Sequence, residues 1–163
     1  MPERETKKRA RKDAREGKAP STQAGEFVRE EMHHVREGKH GARSTKQAIA
    51  IGLSKARRAG VKVRAKKGTS ARTRAQAKRD LAKGRHPQRK VSGTRSRAVR
   101  GALKREGHRA ASSRSLAKQA RSSARRRSAS QRSAAARKAA HTKGARGRSA
   151  AARKAARTRA RHR

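Results

Sequence analysis

The chain has no cysteine, tryptophan or tyrosine, a single phenylalanine, and only ten acidic residues among 163. Each scarcity removes a class of explanation. Without cysteine there is no disulfide, no thiolate zinc site and no thiol chemistry, and the redox compartment is left open. One Phe27 cannot build the aromatic platform on which single-strand readers and sheet-based RNA modules stack bases. No run approaches the ~18 apolar residues of a membrane-spanning helix. The opening "MPERETKKRARKDAREGK" lacks the apolar core of a signal peptide, so the expectation is a cytoplasmic protein. There is also no Gly-rich phosphate loop and no acid pair in a plausible cleft. With so little apolar material to hold a pre-organised constellation, the sequence argues against an enzyme and names no catalytic residue and no cofactor.

Positive charge is abundant: 52 Lys and Arg give a net charge of +42. Only 30% of residues are hydrophobic, and most of those are Ala, which buries little area. Such a chain cannot offset its ordering entropy by apolar burial, so much of it is expected to be disordered alone. A solvated polycation attracts polyanions, and nucleic acid is the densest in a cell. Duplex DNA carries one charge per ~1.7 Å, so +42 matches the phosphates along about 70 Å. Stable membrane anchoring needs a second, apolar signal, and none is present.

The charge is polar along the chain. Eight of the ten acids precede residue 38; residues 65 to 163 carry 34 cations and two acids. Four regions follow: a mixed-charge flexible arm (1–20), a helical hairpin (21–64), a basic region with conditional helices (65–127) and a low-complexity Arg/Ala/Ser tail (128–163). In the hairpin, Phe27, Val28, Met32 and Val35 share one side of a helical wheel, with Arg29, His33, Arg36 and Glu37 opposite. Gly38 supplies a left-handed stop, Ser44 and Gln47 have capping-box spacing, and Gly60–Val61 suits a Schellman end. Between them Ala48, Ile49, Gly52, Leu53, Ala56 and Ala59 form a second stripe. A core this small needs a third helix, a second copy or a ligand; "SARTRAQAKRDLAK" (70–83), with Gly84 as a stop and Pro87 beyond, is the nearest candidate. The octet "SAAARKAA" occurs at 133–140 and 149–156 and reads as low-complexity expansion. The fold class is all-α, a short hairpin followed by a long, largely disordered basic tail.

Arginine dominates distally, and guanidinium grips phosphate with a planar fork that never deprotonates. Candidate nucleic-acid contacts are Lys46, Arg57, Arg58, Arg125, Arg126, Arg127, Arg137, Lys138, Arg153, Lys154, Arg157, Arg159, Arg161 and Arg163. Ala between the cations favours helix once phosphate screens their repulsion. Ser113, Ser115, Ser128 and Ser130 beside Arg read as spacers before they read as phosphorylation switches. His33, His34 and His40 lie near Glu30, Glu31 and Glu37, but the spacing is not that of an H-E-x-x-H zinc helix, and no metal site is assigned. Glu30–His34 and His33–Glu37 read as helix-surface pairs. A helix-turn-helix reading would place only Lys46 and Gln47 near the start of a recognition helix, too few to favour base reading.

Residues 21–63, "STQAGEFVREEMHHVREGKHGARSTKQAIAIGLSKARRAGVKV", resemble a family of small basic bacterial proteins of unknown function, some labelled DNA-binding or plasmid-stabilisation. "SRAVRGALKREGHRAASSRSLAKQARSSARRR" looks like a second shared block. Residues 128–163 are similar in composition to the tails of bacterial histone H1-like proteins. The resemblance implies a bacterial, nucleoid-associated role and fixes no site. The sequence therefore predicts duplex DNA binding without sequence preference, with DNA compaction. The alternatives are an RNA- or ribosome-associated protein, or an adaptor in which residues 21–64 bind a protein partner or a second copy.

Overall fold

The structure, a computed structural model, describes residues 2–66, 68–85 and 92–161. Among these there are seven α-helices and no strand: α1 (Arg4–Arg15), α2 (Pro20–Arg36), α3 (Thr45–Arg58), α4 (Ala71–Arg85), α5 (Gly93–Arg105), α6 (Ser113–Arg125) and α7 (Ala129–Arg161), with a 3-10 turn at Arg109–Ala111. The chain divides into two compact units, Met1–Gln119 and Ala120–Arg163. No helix among the described residues is long and apolar enough to cross a membrane.

The hairpin forms where the apolar stripes place it, α2 packing along α3. Phe27, Met32 and Val35 are buried, as are Ala48, Gly52 and Ala56 opposite, whereas Arg29, His33, Arg36 and Glu37 are exposed. Gly38 has φ 73°, and the amides of Gly38 and Lys39 donate back to Val35 and His34, which completes a Schellman end. Gly60 closes α3 likewise, with Gly60 and Val61 donating to Arg57 and Ala56. At the start of α3, Ser44 Oγ accepts from the Gln47 amide at 3.2 Å. The return bond of the capping box goes one residue astray, to the Arg43 amide at 2.9 Å. Gly52 matters for a separate reason: a Cβ there would sit 2.7 Å from Val28 Cα, so the two helices touch backbone to backbone.

The small core is completed from both sides. Helix α1 packs on α2, so residues 4–15 of the expected flexible arm are helical; Thr6 and Ala10 are buried. Helix α4 packs on α3. Gly84 is not a stop but lies within α4, where a Cβ would come 2.4 Å from the Arg57 carbonyl oxygen. Pro87 lies outside the described residues.

Two apolar clusters result. One joins Ala10, Ala24, Phe27, Ala56 and Val61, flanked by half-buried Leu53 and Val63. The other joins Met32, Val35, Ala42 and Ala48 to Ala110 and Ala111, with Leu116 of α6 against it. That second contact draws the basic region into the first unit. It is made largely by backbone: Gly41 and Ala42 amides donate to Leu103 and Gly107, Arg36 Nε to the Ala111 carbonyl at 2.8 Å and Thr45 Oγ1 to the Ala110 carbonyl at 2.6 Å.

The distal helices correct the expectation of a largely disordered tail. Residues 113–125 and 129–161 are helical, although no residue of α6 or α7 is buried. Helix propensity is local and needs no core; Ala, Arg and Lys stand near its top. Ser112 and Ser128 supply N-caps, accepting from the amides of Ser115 and Gln131. Helix α7 is broken once, at Gly144 (φ 65°, ψ 176°), and one copy of the repeated octet lies on each side. Arg148 spans the break by donating to the Ala140 carbonyl at 3.0 Å.

Candidate nucleic-acid interface

Nine of the ten acids, all in the first unit, are turned toward the chain's own cations. Each of the eight acids before residue 38, and Asp80, has a Lys, Arg or His side chain within 4.0 Å. Asp80 is 1% exposed and fully engaged: Ser54 Oγ donates at 2.9 Å, Gln76 Nε2 at 3.2 Å, and Arg58 through Nε at 3.0 Å with its Nη2 at 2.9 Å. Arg9 Nε meets Glu26 at 2.6 Å, tying α1 to α2. Lys18 bridges Asp13 and Glu16, both at 2.7 Å, and these two carboxylates raise its pKa above the ordinary lysine value. Glu30 is buried too, so Glu30–His34 is not a surface pair.

Two of the expected contacts also have partners within the chain. Arg58 neutralises Asp80, and Arg57 Nε donates to the Val63 carbonyl at 2.9 Å, pinning the segment after α3. Both follow from partners distant in sequence, which spacing alone does not show. Lys46 stands exposed in the first turn of α3, but its neighbour Gln47 has its side-chain oxygen on the Arg43 amide. The connection between α2 and α3 runs from 37 to 44, longer than a helix-turn-helix turn of about three to four residues.

The distal candidates are placed differently. Arg125, Arg126, Arg127, Arg137, Lys138, Arg153, Lys154, Arg157, Arg159 and Arg161 are all exposed; Arg163 lies outside the described residues. Arg153, Lys154, Arg157 and Arg161 line one shallow groove along α7 with Ala150 and Thr158. That is the i, i+4, i+8 face of a helix, with short side chains leaving room between long cationic ones. Arg159 lies off this face, about 200° round from Arg157 at ~100° per residue. Sequence reading favoured clusters and passed over Arg132, Lys143, Arg146 and Arg148, which are equally exposed. No acid follows Glu106. With none to fold against, every cation of α7 faces solvent.

Side chains able to ligate a metal also gather, among residues that the sequence reading considered and set aside because their spacing is not that of a zinc helix. Glu31, His34 and His40 form one group and Glu3, Glu30 and His34 another, the ligand atoms in each lying within 4.8 Å of one another. His40 comes from the loop after α2 and Glu3 from before α1, so only tertiary folding assembles them.

No curated protein and no solved structure matches the chain significantly. Residues 17–67, which contain α2, α3 and the loop carrying His40, match the model of a family of unknown function (DUF6496), in agreement with the resemblance to an unknown-function family read from residues 21–63.

Proposed function

We propose that the protein binds duplex DNA without sequence preference and compacts it, as a cytoplasmic, nucleoid-associated protein, through Arg and Lys contacts to phosphate. One observation carries this reading. Nine of the ten acids, all in the first unit, lie within 4.0 Å of one of its own cations, while α7 presents cations with no acid anywhere in it. Phosphate is the partner whose geometry suits Arg in particular. A helix is also the element that the ~12 Å major groove admits, and the break at Gly144 lets two helical segments follow a curved surface separately. Nothing in the cation pattern supplies base reading, because the residue best placed for it, Gln47, is used in a cap.

The reading is tested by titrating the full chain against duplex DNA of random sequence, structured RNA and heparin at equal salt. Tightest binding to duplex DNA, with light scattering that reports condensation, supports it. Equal affinity for heparin would reduce the protein to a general polycation, and preference for structured RNA would replace the proposal with an RNA-associated role.

A further inference from the structure

We infer that Glu31, His34 and His40 form a binding site for one divalent transition-metal ion of the class that takes imidazole and carboxylate ligands, zinc(II) being the reference. The inference is independent of the DNA-binding proposal.

Glu31 carries the first observation. Its side chain is fully buried, and neither carboxylate oxygen has a hydrogen bond. Lys55 Nζ lies 2.6 Å from Oε2 and His40 Nε2 lies 3.2 Å from Oε1 as ion-pair contacts, but neither is a hydrogen bond. A buried carboxylate held only by undirected charge is costly, and native proteins rarely leave one so.

His40 carries the second. Its Nδ1 lies 3.0 Å from the Gly41 carbonyl oxygen, which can only accept, so Nδ1 bears the proton. Nε2 then carries a lone pair and lies 3.2 Å from Glu31 Oε1 with no hydrogen bond between them. Something positive belongs between them. A metal ion uses both lone pairs at once. The Nδ1 bond to a backbone carbonyl is also the usual means of fixing the tautomer of a metal-ligating histidine.

His34 supplies a third ligand, although its Nε2 also lies 2.9 Å from Glu3 Oε1, a contact that a bound ion would share or displace. Its ring meets that of His40 edge-on with centroids 6.2 Å apart, and one ligand atom from each of the three residues lies within 4.8 Å of the others. Tetrahedral zinc with ligands at ~2.1 Å separates them by about 3.4 Å, a closure that side-chain rotation supplies. Water would complete the four. Lys55 holds the oxygen of Glu31 turned away from His40, and Glu3 and Glu30 gather on His34 from the other side, with Lys39 3.5 Å from Glu3. Two lysines and three carboxylates thus surround the site, and the added cation meets net negative charge. Imidazole with carboxylate, in a chain without thiolate, selects zinc, nickel, cobalt or copper(II) over magnesium and calcium.

The test uses the full, untagged chain, stripped of nucleic acid and treated with chelator. Zinc(II) binding by calorimetry is expected at one ion per chain, and cobalt(II) is expected to give the intense visible absorption of a four-coordinate site. His40→Gln and Glu31→Gln should each weaken binding by at least about tenfold. Replacing His33 and His141, both exposed and outside the group, should leave it unchanged. Absence of saturable binding to the wild-type chain, a weak six-coordinate cobalt spectrum, or full affinity in His40→Gln would each overturn the inference. Should His40→Gln fail to fold by circular dichroism, the cobalt spectrum of the wild-type chain decides alone.

Discussion

At the level of single residues, the same side-chain type serves opposite purposes according to whether an acid lies within reach. Arg58 and Arg126 have the same chemistry, yet Arg58 closes on a buried carboxylate and Arg126 points into solvent. Arg58→Ala should lower stability by about 1–3 kcal/mol, because Asp80 keeps its burial and loses its cation. The value lies below that of a fully buried pair because the Arg58 side chain is half exposed. Arg126→Ala should leave thermal stability unchanged and weaken DNA binding. Thermal melts and DNA titrations on both variants check the pair, and the reverse pattern would move the interface to α3. Glu3 gives a pH dependence. The hydrogen bond from His34, with Lys39 adding attraction, holds its carboxyl below the usual range against the opposing effect of desolvation. A depressed carboxylate stabilises the fold above its unfolded value of ~4.3 and loses that contribution as pH falls through the depressed one. Wild type should therefore melt above Glu3→Gln at neutral pH, with the gap closing in acid below about pH 4.

Among elements, the legible ones were those whose signals are local. The ends of α2 and α3 were announced by Gly38, Ser44 and Gly60, and their facing stripes by the recurrence of Phe27, Met32, Val35, Ala48 and Ala56. Helix α1 was hidden because what it buries is Thr6 and Ala10, residues that leave no hydropathy pattern. Docking of residues 103–111 was hidden because backbone carbonyls make it, and a sequence does not display them. The group Glu31, His34 and His40 was visible as neighbouring residues but was set aside on helix spacing, since His40 reaches it from the loop after α2. Helix in α7 was foreseen as conditional on phosphate; Ala propensity and an N-cap were given too little weight beside charge repulsion. The hairpin crossing yields a sharp expectation. Gly52→Ala places a methyl against Val28 backbone at 2.7 Å, which cannot rotate away, so α2 and α3 must separate. Overpacking of this kind costs about 1–3 kcal/mol, against the ~1 kcal/mol that Ala gains over Gly in a helix. A net fall in melting temperature checks the contact; a rise would mean that the helices do not touch there.

For the whole molecule, we propose a division of labour: acids and apolar side chains build the first unit, and cations without acids make the second an interface for phosphate. Residues 128–163 hold 12 of the 52 cations and no acid. The most direct measurement is the salt dependence of affinity for random duplex DNA, made on the full chain and on a variant with the Arg and Lys of α7 changed to Gln. Gln keeps good helix propensity, so the comparison isolates charge. If the chain engages about ten phosphates, counterion release lowers the affinity of the parent by about four to five orders of magnitude between ~50 and ~200 mM salt. The account predicts that the Gln variant keeps its melting temperature and loses most of that slope. A slope unchanged in the Gln variant would contradict the account and place the DNA contacts in the first unit.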